Sequence, residues 1–522
     1  MRIDAARGRL YAVREDHRAP GEPVNTLVSI DLDSQESSGD LLAGGYDFFA
    51  SPALSPDGRQ LAWLCWNHPN MPWDGTELWV GELNEAGTAV SGARRVAGGA
   101  DESIYQPAWS PDGTLYFISD RSNWWNLYRL HGEKIEAVCP RAAEFGRPQW
   151  VFGSSTYDFI DAQTMLCTYS EQGMNFLARL DLASGKLENI RLPFTTLSQI
   201  RVGRGFAVLY AGSAVHPGSI IRLDLDTEKM LILKKSADIT VDRRYLSVPQ
   251  PVEFPTENGL TAHAFYYPPQ NEDYGAPSTE KPPLLVLSHG GPTSAAGTVL
   301  NLGLQYWTSR GFAVVDVNYG GSTGYGRAYR QRLNGQWGIV DVQDCVNAAY
   351  YLASKGWVDV ERLAIRGGSA GGYTTLCALT FHDIFTAGAS HFGVSDVEAL
   401  AKETHKFESR YLDNLIGPYP EAVDLYRERS PIHFIDQIEC PLILFQGLED
   451  RVVPPNQAEM MYKALKEKGV PVAYLPFAGE QHGFRRAENI KRALDAEFFF
   501  YSRIFDFKPA NFIKPVVIDN LG

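Results

Sequence analysis

Cysteine is scarce: six residues in 522 (Cys65, Cys139, Cys167, Cys345, Cys377, Cys440), scattered and with no Cys-x-x-Cys pair. A disulfide-built scaffold needs a much higher density and a thiolate metal site needs paired ligands, so both are excluded and the thiols read as free, mostly core groups. Long apolar runs are missing too. No window supplies the ~18 apolar residues of a membrane span. The charged start Met1-Arg-Ile-Asp-Ala-Ala-Arg7 lacks the apolar stretch of about 7–15 residues that a secretory signal requires. A cytoplasmic protein with no membrane partner is the expectation. Positive charge is in deficit: 48 Lys plus Arg stand against 62 Asp plus Glu, a formal charge of -14. Such a surface repels a phosphate backbone, which argues against nucleic acid as a partner. Nucleotide and metal signatures are absent as well. The run Gly320-Gly-Ser-Thr-Gly-Tyr-Gly326 matches neither a dinucleotide fingerprint nor a phosphate loop with its Lys, and the histidines show no His-Glu-x-x-His spacing. No cofactor and no metal are expected.

What is present falls into two halves with different patterns, and the length supports two domains. Over 1–245, short β-rich runs alternate with turn signals. Pro52-Ala-Leu-Ser-Pro-Asp-Gly58 returns as Pro107-Ala-Trp-Ser-Pro-Asp-Gly113, and strand ends in Asp-Leu recur at Ser29-Ile-Asp-Leu32, Arg179-Leu-Asp-Leu182 and Arg222-Leu-Asp-Leu225. Repeats on this scale with aromatic strands are what four-stranded propeller blades produce, and about five such units are expected, a β-sandwich being the alternative. Asp57 and Asp112 belong to turns, where Pro sets φ, Asp bonds nearby backbone and Gly tolerates positive φ.

Over 246–522, apolar strands alternate with helical stretches, as in a parallel sheet covered by helices. Strands are predicted at 284–288, 312–317, 362–366, 442–445 and 472–475, with helices near 341–354, 371–381, 456–468 and 486–503. The stretch Pro268–Pro283 reads as a turn or short loop between strands.

Chemistry concentrates in the second half. Leu363-Ala-Ile-Arg-Gly-Gly-Ser-Ala-Gly-Gly372 runs from a strand through Gly-x-Ser-x-Gly into a helix. That context is the confirming one for a nucleophile elbow, with Ser369 as nucleophile. A hydroxyl needs a neighbouring base to take its proton. Of eleven histidines, His482 follows the predicted strand 472–475 and precedes the last helix, which suits the chain order Ser, acid, His. His382, His391, His405 and His433 are its rivals. Asp450, after strand 442–445, is the expected orienting acid, ahead of Glu449 and Asp396. An oxyanion hole needs two donors, each worth about 3 kcal/mol of barrier. The Ala370 N–H is expected to supply one, and the loop Ser288-His-Gly-Gly-Pro292 the other, through Gly291 first and Gly290 second.

The motifs His289-Gly-Gly-Pro292, Asn318-Tyr-Gly-Gly-Ser-Thr-Gly-Tyr-Gly326, Gly367-Gly-Ser-Ala-Gly-Gly-Tyr373, Gly447-Leu-Glu-Asp-Arg-Val-Val-Pro454 and Gln481-His-Gly-Phe484 together resemble the prolyl oligopeptidase family of serine peptidases. Within it, the chain is most similar to the acylaminoacyl-peptidase and dipeptidyl-aminopeptidase-like branch. The resemblance implies an N-terminal β-propeller with a C-terminal α/β-hydrolase domain, and the same triad of Ser369, Asp450 and His482. It further implies short peptides as substrates, with the propeller acting as a size filter. Three departures stand out. His289 occupies the place where the prolyl-endopeptidase branch has a tyrosine that donates to the oxyanion. No Glu-Glu pair that would anchor a substrate amine occurs in the first half. Members also commonly have more than five blades and an N-terminal segment on the hydrolase domain, so a truncated chain is among the expectations. A carboxylesterase on the same fold and a non-catalytic binding propeller are the competing functions. Oligomeric state is left open, a homo-oligomer included.

Overall fold

The recurring phrases of the first half turn out to mark equivalent places in different blades. In the computed structural model, which describes residues 1–34, 38–402 and 404–522, Ser-Pro-Asp-Gly joins the first strand of a blade to its second. It does so between Phe48–Leu54 and Gln60–Trp66, and again between Ile104–Trp109 and Leu115–Ser119. The Asp57 carboxylate accepts from the Ser55 hydroxyl (2.6 Å) and the Arg59 N–H (3.0 Å), and Gly58 takes φ +71°. The Asp-Leu phrase closes the third strand of its blade, at Val24–Asp31, Met174–Asp181 and His216–Asp224. Each of these leucines donates its N–H to the carbonyl of a residue in or beside the preceding turn (Gly8, Gln163, Gly205).

Among the described residues, five four-stranded antiparallel sheets result, each in sequential order. They carry the apolar cores expected of blades: Leu64, Leu78 and Phe117 in one cluster, Leu166, Ile200 and Leu209 in another, all fully buried. Burying each such side chain stabilises by about 1.5–3 kcal/mol. The unit that contains the blades comprises Met1–Ala237 together with two short returning segments, Gly324–Ala328 and His405–Tyr411. Within it, the Arg327 guanidinium pairs with buried Asp120 at 2.6 Å, and the Lys406 ammonium donates to the Pro23 and Asp47 carbonyls.

The remaining unit is built on one eight-stranded sheet: β1 (Gln250–Pro255), β2 (Thr261–Tyr267), β3 (Leu284–Ser288), β4 (Ala313–Asn318), β5 (Leu363–Gly368), β6 (Ala387–His391), β7 (Leu442–Gly447) and β8 (Val472–Phe477). Their order across the sheet is β1-β2-β4-β3-β5-β6-β7-β8. The strands from β3 to β8 are mutually parallel, while β1 and β2 are antiparallel at one edge. The parallel strands read as near-continuous apolar runs because helices cover both faces. The hairpin of β1 and β2 carries two prolines, which suits an edge. Its Asn258-Gly259 corner, with both residues at positive φ, is the hairpin signal in that stretch. Among the described residues no helix is long and apolar enough to cross a membrane, and all six cysteines are free.

Candidate active site

In a parallel sheet every strand delivers its loop to the same edge, so residues far apart in sequence meet at the carboxyl ends. Ser369 follows β5, Asp450 follows β7, His482 follows β8 and the loop 289–292 follows β3. Ser369 sits at φ +57°, ψ -123°, a conformation that turns strand into helix within one residue and holds the hydroxyl out. Its N–H donates to the His391 carbonyl at 3.0 Å. The flanking glycines are a matter of contact: a methyl group on Gly371 would lie 2.1 Å from the Ser288 carbonyl oxygen, and one on Gly367 would lie 2.2 Å from the Gly371 carbonyl oxygen. Ser288 Oγ also donates to that Gly371 carbonyl at 2.9 Å, drawing β3 onto the elbow.

The three residues singled out in the sequence form one hydrogen-bonded chain. His482 Nε2 lies 2.9 Å from Ser369 Oγ, and His482 Nδ1 lies 2.8 Å from Asp450 Oδ2. A carboxylate only accepts, so Nδ1 carries the proton and Nε2 presents its lone pair to the serine hydroxyl. The Asp450 side chain is fully buried. Its other oxygen accepts from the N–H groups of Val452 (2.8 Å) and Val453 (2.9 Å), which pins the carboxylate before it meets the imidazole.

The rivals named here stand outside this hydrogen-bonded chain. Glu449 is exposed. Asp396 caps the helix Val397–Lys402 by accepting from the Glu398 and Ala399 N–H groups. The His391 side chain, buried, lies 3.0 Å from Glu497 and stacks on Phe445. Burial, together with the nearby Arg366 charge, pushes its pKa down. His405 lies in the returning segment of the other unit, and His382 ends the elbow helix Ala370–Phe381.

Of the donor candidates, the Ala370 N–H opens the elbow helix, where no intrahelical partner exists for it. Among the described residues no backbone carbonyl outside the regular elements takes the N–H of Gly290 or Gly291. Gly290 lies against the elbow: a methyl group on it would stand 3.5 Å from Ser369 Cβ, whereas the nearest neighbours of Gly291 are Thr293 and Ser294. His289 braces this loop. Its Nδ1 donates to the Gly290 carbonyl at 2.9 Å, its Nε2 accepts from the Ser322 hydroxyl at 2.7 Å, and its ring stacks on Tyr319 at 4.3 Å. Burial pulls its pKa down to about 4, so the ring is neutral near pH 7.

Glu480 was not among the expected site residues. Buried two positions before the imidazole, it accepts from the N–H groups of Arg485 (2.9 Å) and Arg486 (3.0 Å) and from Asn489 Nδ2 (2.8 Å). Burial alone would raise its pKa, but these hydrogen bonds win and hold it below the usual range. It ties the His482 loop to the start of the final helix, Ala487–Ile504. An acidic residue just ahead of a helix start was the available signal.

With the geometry in hand, likeness to known proteins is informative. The model of the prolyl oligopeptidase family matches residues 299–508. Dipeptidyl aminopeptidase BIII of Pseudoxanthomonas mexicana is 33% identical over 253 residues, 47% of this chain but only 37% of that enzyme, so the match spans little more than a third of the relative's length. Among solved structures, a puromycin hydrolase superposes with TM-score 0.93 at 39% identity, covering 99% of this chain and 79% of that one. A puromycin-hydrolyzing peptidase of Mycobacterium tuberculosis gives TM-score 0.91 at 41% identity over 98% of this chain and 81% of its own. Likeness of that extent, running through blades and sheet alike and joined to the family match over the elbow, makes this chain a member of the prolyl oligopeptidase family.

Proposed function

We propose that this chain is a serine peptidase that hydrolyses short peptides, in the manner of acylaminoacyl- or dipeptidyl-peptidases, through an acyl-enzyme on Ser369. The observation that carries the reading is the unbroken chain from buried Asp450 through His482 to Ser369 Oγ, with bonds of 2.8 and 2.9 Å. Ser369 Oγ attacks the scissile carbonyl while His482 Nε2 takes the hydroxyl proton. The N–H of Ala370, with that of Gly291 or Gly290, stabilises the resulting oxyanion. His482 then returns the proton to the leaving amine as the C–N bond breaks. Water, deprotonated by the same imidazole, attacks the acyl-enzyme and restores the serine. Asp450 holds the tautomer and stabilises the imidazolium.

Relatives named dipeptidyl aminopeptidase, acylamino-acid-releasing enzyme and puromycin hydrolase support an amide bond near a free or blocked amino end as the target. The free cysteines support a reducing, cytoplasmic setting.

The test is a substrate panel of puromycin, aminoacyl-dipeptide amides, acyl-amino-acid amides and aryl esters, with labelling by a fluorophosphonate probe and Ser369→Ala as control. We expect labelling and amide hydrolysis in the wild type, and a loss of about 10^4-fold or more in the variant. Turnover of aryl esters alone would make the chain an esterase, and absence of labelling would make the site vestigial.

A further inference from the structure

His482 has a third neighbour besides the serine and the aspartate. Its ring meets that of Phe392 edge-on, centroids 4.9 Å apart and planes at 65°. The same phenyl ring lies on the elbow, since a methyl group placed on Gly368 would come 3.0 Å from Phe392 Cε2. Phe484, two residues past the imidazole, packs edge-on against the Phe392 ring at 5.7 Å. Phe392 therefore touches both the strand end that presents the nucleophile and the loop that presents the base.

The backbone there is unusual. Phe392 adopts φ +40°, a region in which a bulky side chain is an outlier and which survives only where the surroundings enforce it. They do so here: the Phe392 N–H donates to the Phe445 carbonyl at 2.7 Å, while the preceding residue's carbonyl accepts the Ser369 N–H at 3.0 Å. Glycine would take this conformation without strain, so the ring itself is what a phenylalanine contributes.

We propose that Phe392 is a positioning residue for His482, its ring forming the wall that keeps the imidazole on the line from Asp450 to Ser369 during proton transfer. This rests on the catalytic reading of those three residues. The His482 side chain is 23% exposed, so it has room to swing if the wall is removed. A displacement of about 1 Å at a reacting centre costs on the order of 100-fold in rate.

The experiment compares wild type with Phe392→Ala, Phe392→Leu and Phe392→Gly, measuring kcat and KM on an aryl ester, the rate of fluorophosphonate labelling and the thermal midpoint. Phe392→Ala is expected to lower kcat and the labelling rate by about 10- to 100-fold, with KM within about twofold. Phe392→Leu, which keeps bulk at the wall, should stay within about threefold of wild type. Phe392→Gly relaxes the backbone yet lacks the ring, so it should match the alanine variant in kcat. If alanine does not fold, leucine and glycine still decide the matter. Unchanged kcat and labelling in Phe392→Ala, an effect confined to KM, or wild-type kcat in Phe392→Gly would each overturn the proposal. A wild type that takes up no label would instead sink the triad reading itself, and the two failures are thereby distinct.

Discussion

In the blades, Asp57 turns one carboxylate oxygen onto the Ser55 hydroxyl and the Arg59 N–H; after β7, Asp450 turns one onto the N–H groups of Val452 and Val453. Both are Asp turns in which a carboxylate is held by nearby backbone within a few residues. They part at the second oxygen. That of Asp57 lies 4.0 Å from Arg59 on a side chain 61% exposed, whereas the Asp450 side chain is fully buried and gives its second oxygen to His482 at 2.8 Å. A turn fixes a carboxylate cheaply and rigidly in either place. What stands across from the free oxygen separates the two: an arginine at the surface for Asp57, a partly buried imidazole for Asp450.

Substitution sharpens this contrast. Asp450→Asn should leave the turn largely intact but present an amide to the imidazole, and kcat should fall by about 10^4-fold with little change in thermal midpoint. A smaller fall would mean that the second oxygen matters less than its geometry suggests. Next in size is Gly371→Ala. With no space before the Ser288 carbonyl oxygen, β3 and the elbow helix must move apart, and urea unfolding should show a loss of about 3 kcal/mol or more.

Asp341 supplies a third kind of carboxylate, buried beneath the elbow helix. It accepts from the Thr374 hydroxyl (2.6 Å) and the Gly338 N–H (2.7 Å). Burial nevertheless outweighs those bonds and raises its pKa from 3.8 to about 6. The folded state therefore binds this proton more tightly than the unfolded chain. The contribution is complete below the unfolded pKa and is lost as pH rises through about 6. Denaturant titrations over that range should show wild type losing stability relative to Asp341→Asn as pH rises, and parallel slopes in the two proteins would remove Asp341 as the cause. The smallest effect belongs to the blades: Asp112→Asn should cost about 1 kcal/mol of stability and leave kcat within about twofold. A large loss of activity there would erase the distinction between the two kinds of turn.

Much of this was legible beforehand because it is local. Ser-Pro-Asp-Gly and the Asp-Leu strand ends carry their own turn chemistry, so blade boundaries appear as repeated words. The nucleophile elbow is likewise written in consecutive residues, since a strand, two glycines and a helix start must adjoin for Ser369 to be presented. The placing of Asp450 and His482 directly after strands suits a parallel sheet, which sends each such loop to one edge. Less visible were the helix Leu302–Thr308 and the hairpin of β1 and β2, whose edge position tolerates proline and blurs the strand pattern.

Two features depended on distance in space between residues distant in sequence. His391 and His482 both end or follow strands of one sheet, and only packing assigns the first to Glu497 and the second to Ser369. Phe392 reads as a core aromatic until the elbow and the base are seen on either side of its ring. Sequence by itself determined which residue types and turns were available, because those follow from backbone sterics and near-neighbour hydrogen bonds. Tertiary structure alone decided which oxygen, nitrogen and ring face one another, because hydrogen bonds and ring contacts act only over a few ångströms.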